Sequence, residues 1–175
     1  MTRRREGEYK WEKVVNSGRG GAIAMFRGHS QRSQDPKGRL MLPPEFRDEV
    51  FAQSAEGKLV LTNFDDCVAA YPLPEWEVIE QNFSRLNMAD RRVRDFHRFF
   101  ISGAVEVTLD RQGRVLIPPH LRSYAGLQKD IVLAGVGRKF EIWDQERFEA
   151  QRKAMQENFD QVMDDLAGNG FELRF

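Results

Sequence analysis

The chain has 175 residues, enough to bury a substantial core, and its 27 basic residues balance its 27 acidic ones, so net charge gives no sign of a polyanionic partner. The single Cys67 excludes an internal disulfide, and His29, His97 and His120 lie too far apart in sequence to offer a metal-ligand spacing. No run of about 18 apolar residues could cross a membrane, and Arg3-Arg4-Arg5 leads into charged sequence instead of the apolar stretch of a secretory signal, so a reducing cytoplasm is expected.

The charge is unevenly spread. Met1 to Arg39 carries ten Lys or Arg against four acids, whereas Glu141 to Phe175 carries nine acids against four bases. Residues 1–24 form a basic extension without sustained hydrophobic periodicity and are expected to be largely disordered. Two readings stand for them: a functional basic arm, or a misassigned translation start. From Met25 the pattern changes to strand, tight turn, strand and short helix, then Lys58 to Phe64, an Asp65-Asp66 turn and Val68 to Tyr71 as a hairpin. A helix follows, with Trp76, Ile79, Phe83 and Leu86 on one face. Val93, Phe96 and Phe100 mark a further helix, whose Arg91, Arg92, Arg94 and Arg98 read as a solvated face.

Sliding the chain against itself reveals why the second half looks familiar. At an offset of 75, the segment Asp35 to Arg47 falls on Asp110 to Arg122 with six identities, among them Asp35/Asp110, Gly38/Gly113, Arg39/Arg114 and both Pro-Pro pairs. Ala104 to Leu109 and Arg114 to Ile117 then predict a hairpin, Pro118 or Pro119 a short helix ending before Gly126, and Ile131 to Val136 and Lys139 to Trp143 a second hairpin across Gly137-Arg138. The last helix, from Gln145, has Phe148, Met155, Phe159 and Met163 as its apolar stripe and stops at Gly168-Asn169-Gly170.

In Asp35-Pro36-Lys37-Gly38 the acid can accept forward backbone N–H bonds, the proline presets φ and the glycine tolerates a left-handed conformation; Asp110 to Gly113 can do the same without proline. Asp35, Gly38, Asp110 and Gly113 are therefore turn builders. Turn geometry makes no demand for Arg39 or Arg114. Each is open to two readings, an ion pair with a carboxylate or a guanidinium presented to phosphate or guanine. The nearby Arg27, Arg32 and Lys37 tilt Arg39 toward the second. No nucleophile with a base, phosphate-cradling loop or catalytic carboxylate pair accompanies these residues, so no enzyme is expected. Cys67 has no neighbouring histidine and suits a small buried position.

Met25-Phe26-Arg27-Gly28, the two Asp-x-x-Gly-Arg motifs, Tyr71-Pro72-Leu73-Pro74-Glu75-Trp76-Glu77 and Arg91-Arg92-Val93 together resemble the MraZ family, which is related to AbrB-type proteins and carries two Asp-x-x-x-Arg repeats. The resemblance implies an α+β fold: two tandem modules of interleaved, swapped β-hairpins forming a β-barrel-like core with flanking helices. The modules would span 25–102 and 103–168, with a tail at 169–175. It further implies a sequence-specific DNA-binding transcriptional regulator of the division and cell wall gene cluster, a ring-shaped homo-oligomer on direct repeats in its own promoter. Such a protein is cytoplasmic and nucleoid-associated, and its partners are double-stranded promoter DNA and itself.

Carried over position by position, Arg39 and Arg114 are the motif arginines, Asp35 and Asp110 the motif acids, and Arg27 and Lys37 basic neighbours of the first turn. No cofactor, metal, membrane or small-molecule substrate is implied. The alternative is a ring-forming scaffold acting through a protein partner. A pure AbrB-type antitoxin is disfavoured, since such chains carry one module and a toxin-binding tail. Two features depart from the family: the extension 1–24, and the wholly polar Ser30-Gln31-Arg32-Ser33-Gln34 before the first motif, which predicts a less buried strand. The first copy, in its basic setting, suits DNA; the second, in a better-formed strand, suits holding the ring together.

Overall fold

Each Pro-Pro pair starts a helix, because a ring-fixed φ and a missing N–H cost nothing at a first helical position. Pro44 opens α1 (Pro44–Gln53) and Pro119 opens α4 (Pro119–Ala125), which Gly126 closes in the left-handed conformation at φ 61°. The computed structural model describes residues 25–171, so the extension 1–24 and the end of the 169–175 tail lie outside the described residues. Ahead of α1 come β1 (His29–Ser33) and β2 (Arg39–Met41); after it follow β3 (Lys58–Phe64), β4 (Cys67–Pro72), α2 (Leu73–Phe83) and α3 (Arg91–Phe100). The second repeat supplies β5 (Val105–Thr108), β6 (Arg114–Leu116), α4, β7 (Asp130–Gly135), β8 (Phe140–Asp144), α5 (Gln145–Glu157) and α6 (Phe159–Gly168).

The predicted hairpins β3–β4 and β7–β8 form as antiparallel pairs. Asp65 and Asp66 take positive φ of 46° and 63°, the combination that a two-residue turn needs to match strand twist. The predicted hairpin before each short helix does not form a ladder. β1 instead runs antiparallel to β7 of the other repeat, from His29 opposite Ala134 to Ser33 opposite Asp130. β5 in turn pairs with β3, Lys58 opposite Thr108. One six-stranded antiparallel sheet results, ordered β1-β7-β8-β4-β3-β5, and β2 and β6 form a separate two-stranded ribbon. The turn itself closes, with only the Gln34–Leu40 bridge beyond it in the first copy. Leu40 and Val115 then bury completely, and that draws the returning strands toward each other and away from β1 and β5.

Three layers enclose the core. On one face of the sheet Leu59, Leu61, Val68, Ala70, Ile131, Leu133, Phe140 and Ile142 pack against Leu40 and Val115 of the ribbon, Ile117 just after it, and Phe46, Val50 and Leu121 of α1 and α4. On the other face Val60, Ala69 and Tyr71 meet Trp76 and Phe100 of α2 and α3, while Cys67, Val132, Ala134 and Trp143 meet Phe148 of α5. Covering both faces explains why the central strands read as continuous apolar runs. α3 is held by its carbonyl end: buried Thr62 and Asn63 donate to the carbonyls of Phe100 and Phe99, at 2.5 and 2.9 Å.

β1 shows the half-exposed pattern that its polar sequence predicts. The long terminal helix departs from expectation, because it is broken at Asn158 into α5 and α6, neither of which buries a residue. Of the expected stripe only Phe148 packs on the sheet, and Met155 and Phe159 face solvent.

Candidate nucleic-acid interface

The two Asp-x-x-Gly-Arg turns are built alike, bond for bond. In the first, one Asp35 carboxylate oxygen accepts from the backbone N–H groups of Lys37 and Arg39, each at 2.9 Å, and the other accepts from Arg39 Nε at 2.5 Å. In the second, Asp110 accepts from the N–H groups of Gln112 and Arg114 at 2.9 Å and from Arg114 Nε at 2.7 Å. The Arg39 and Arg114 N–H bonds, followed by the guanidinium contacts, hold both carboxyls below the ordinary aspartate range. Gly38 and Gly113 close the turns at φ 85° and 77°.

Both readings of the motif arginines are thus compatible. Each guanidinium is fixed by its acid through Nε alone, and its two terminal nitrogens make no hydrogen bond among the described residues. A guanidinium steadied on one edge and free on the other can grip a phosphate or a guanine with little further ordering cost.

The ribbon sets the spacing of the pair. Arg39 stands opposite Leu116, Leu40 opposite Val115, and Met41 opposite Arg114. Since Leu40 and Val115 point into the core, Arg39, Met41, Arg114 and Leu116 share the outer face. The unequal roles expected from sequence setting have no counterpart in geometry, because both arginines sit on one surface; what differs is composition, Pro36-Lys37 against Arg111-Gln112.

Arg47 and Arg122 were not singled out by sequence reasoning, yet they pack against the two motif turns. Arg122, on α4, lies over Gly38 of the other repeat, and Arg47, on α1, lies over Gly113. Both turn glycines are consequently buried. The buried Arg122 Nε has no hydrogen-bond partner among the described residues, and Arg47 reaches only Asp48, at 3.6 Å. Their identity in the internal alignment was the available signal, since Arg47 and Arg122 are matched there as strictly as the motif arginines.

Of the remaining predicted residues, one stays at the first turn and one does not. Lys37 is exposed at the first turn. Arg27 is not at that turn: it precedes β1, next to Phe26, which bridges to Gly137, whereas the turn follows β1. The strand alone separates them by about 13 Å at roughly 3.3 Å per residue. Arg91, Arg92 and Arg98 on α3 are solvated and engage Asp95 and Asp90 locally. Cys67 is fully buried, where desolvation above all pushes its thiol far up, beyond the range in which it ionises in neutral solution. Among the described residues no helix is long and apolar enough to cross a membrane.

The family model described as "MraZ protein, putative antitoxin-like" matches the chain twice, over residues 25–99 and 100–169. A protein of Solidesulfovibrio magneticus named "Transcriptional regulator MraZ" is 58% identical over 152 residues, covering 86% of this chain and 100% of the relative. Its namesake in Nitratidesulfovibrio vulgaris strain Hildenborough is 53% identical over 151 residues, 86% of this chain and 99% of the relative. One from Thioalkalivibrio sulfidiphilus is 48% identical over 130 residues, 73% of this chain and 85% of the relative. With both repeats matched and relatives aligned over nearly their full lengths, the chain belongs to the MraZ family.

Proposed function

We propose that this protein is a sequence-specific DNA-binding transcriptional regulator of the division and cell wall gene cluster, acting as a ring-shaped homo-oligomer on direct repeats in its own promoter. The observation that carries the reading is the ribbon face, where Arg39 and Arg114 are each tethered through Nε and their terminal nitrogens make no hydrogen bond among the described residues. Lys37, Arg47 and Arg122 surround that face with further positive charge. The names of the relatives favour regulation, and successive ring subunits suit successive direct repeats. The partner-strand exchange of β1 and β5 supports viewing residues 25–102 and 103–168 as interleaved, swapped-hairpin modules around a barrel-like core. A cytoplasmic, nucleoid-associated location follows from that role.

Titration of DNA from upstream of the gene tests it. Arg39→Ala and Arg114→Ala should each weaken specific binding by roughly 1–3 kcal/mol without changing the oligomer. Unchanged binding by both variants removes the ribbon from the DNA site. A second reading, a scaffold acting through a protein partner, draws on the exposed Met155, Phe159 and Leu166 of α5 and α6. It predicts little dependence on salt, whereas phosphate contacts make DNA affinity fall steeply between two salt concentrations.

A further inference from the structure

The outer face of the ribbon carries more than charge. Met41 is 41% exposed and Leu116 is 53% exposed, each directly across the ladder from a motif arginine. Phosphate contact gives such side chains no role, and water penalises them. Lys37, Arg39, Arg47, Arg111, Arg114 and Arg122 crowd the two turns and the helices over them, and Asp35, Asp110 and Asp48 each lie against one of these arginines. A polyanion with apolar groups recessed between its charges is the complementary partner.

We propose that Met41 and Leu116 read thymine methyl groups in the major groove while the ribbon lies within it. The inference rests on the DNA-binding function above and assigns base discrimination to two apolar residues outside the Asp-x-x-x-Arg motifs. A two-stranded antiparallel ribbon fits a groove about 12 Å wide, and thymine is the base that displays a methyl group there. Residues two apart on a strand are separated by about 7 Å, the rise of roughly two base pairs at about 3.4 Å each. An arginine and an apolar side chain on each strand can therefore address bases two steps apart. Leu40 and Val115, wholly buried between them, keep all four side chains on the groove face.

The test uses the full-length protein and a duplex from upstream of its gene, prepared with thymidine or with deoxyuridine, which lacks only the methyl group. Wild type should bind the deoxyuridine duplex more weakly, by roughly fourfold for each methyl left unburied. Met41→Ala and Leu116→Ala should weaken binding to the thymidine duplex and reduce that discrimination, whereas Val136→Ala, at an exposed apolar position elsewhere, should preserve it. Equal binding of both duplexes by wild type overturns the proposal and leaves DNA binding standing, as does discrimination that survives both ribbon substitutions. A change in oligomer mass with discrimination intact assigns the face to self-association and likewise overturns it. Failure of wild type to bind either duplex overturns both this proposal and the function on which it rests.

Discussion

Arg122 Nε lies 2.7 Å from the point that a β-carbon on Gly38 would occupy, although the two residues belong to different repeats. Arg47 Cδ takes the corresponding place over Gly113, at 2.8 Å. Each turn glycine thus answers two demands, a left-handed backbone and room for an arginine that arrives from the other half of the chain.

Gly38→Ala should therefore destabilise the fold by roughly 1–3 kcal/mol, the usual cost of a non-glycine residue forced into that conformation. At about 2–4 °C per kcal/mol for a chain of this size, the melting temperature should fall by roughly 2–12 °C. Removing the side chain above it should recover part of the loss, so Gly38→Ala combined with Arg122→Ala should cost less than the two single changes added together. Strict additivity in the double-mutant cycle would show that the arginine does not crowd residue 38.

The two turn acids predict the acid limb of stability. Asp35 and Asp110 bind protons more weakly in the folded chain than in the unfolded one, because backbone N–H groups and then guanidinium groups bond their charged forms. Their contribution is complete above the ordinary aspartate value of about 3.9 and is lost as pH falls through the lowered folded values. Denaturant midpoints measured from neutral to strongly acidic pH should show Asp35→Asn and Asp110→Asn less stable near neutrality and flatter on the acid side. Parallel acid limbs for wild type and variants would rule this linkage out.

Arg47 and Arg122 should behave differently from the motif arginines in DNA binding. Held against the turns without a strong carboxylate partner among the described residues, they would add charge for phosphate contact if the ribbon face binds DNA. Arg122→Ala should weaken binding to specific and unrelated duplexes by similar factors and lower the slope of log affinity against log salt by about 1. Loss confined to the specific duplex would instead give Arg122 a role in base recognition.

Cys67 should be silent to thiol reagents in the native protein. Desolvation, reinforced by the nearby Glu141 carboxylate, pushes the thiol upward, and only a thiolate reacts readily. Maleimide labelling at mildly alkaline pH should be slow without denaturant and fast with it. Rapid native labelling would mean that the face of the sheet beneath α5 opens easily.

The turns, the proline-initiated helices and the central hairpins were legible because their causes are local: Asp35 bonds within four residues, and Pro119 sets its own φ. The exchange of β1 and β5 was not legible in the residue pattern, because the alternation in Val105 to Thr108 says that the segment is a strand without naming its partner; only the family resemblance implied interleaved hairpins. Long-range pairing is decided by which apolar residues bury together, here Leu40 with Val115. The same limit hid Arg122, whose role depends on a glycine 84 positions earlier in the chain. Periodicity also misjudged α5 and α6, since an apolar stripe such as Met155 and Phe159 signals a face to be covered without saying that this chain covers it.

Because β1 and β5 each pair with a strand of the other repeat, the two halves of one chain are arranged like the two members of a pair. A true pair would carry identical turns, and any substitution would appear at both ends. Covalent fusion removes that constraint: one end of the ribbon can keep Pro36-Lys37 while the other keeps Arg111-Gln112 on the same rigid support. The ribbon thereby acquires a polarity of its own, with chemically different ends. If the proposed function holds, such a reader, unlike a two-fold one, would tell a box from its inverted copy, the capacity that head-to-tail boxes would call for.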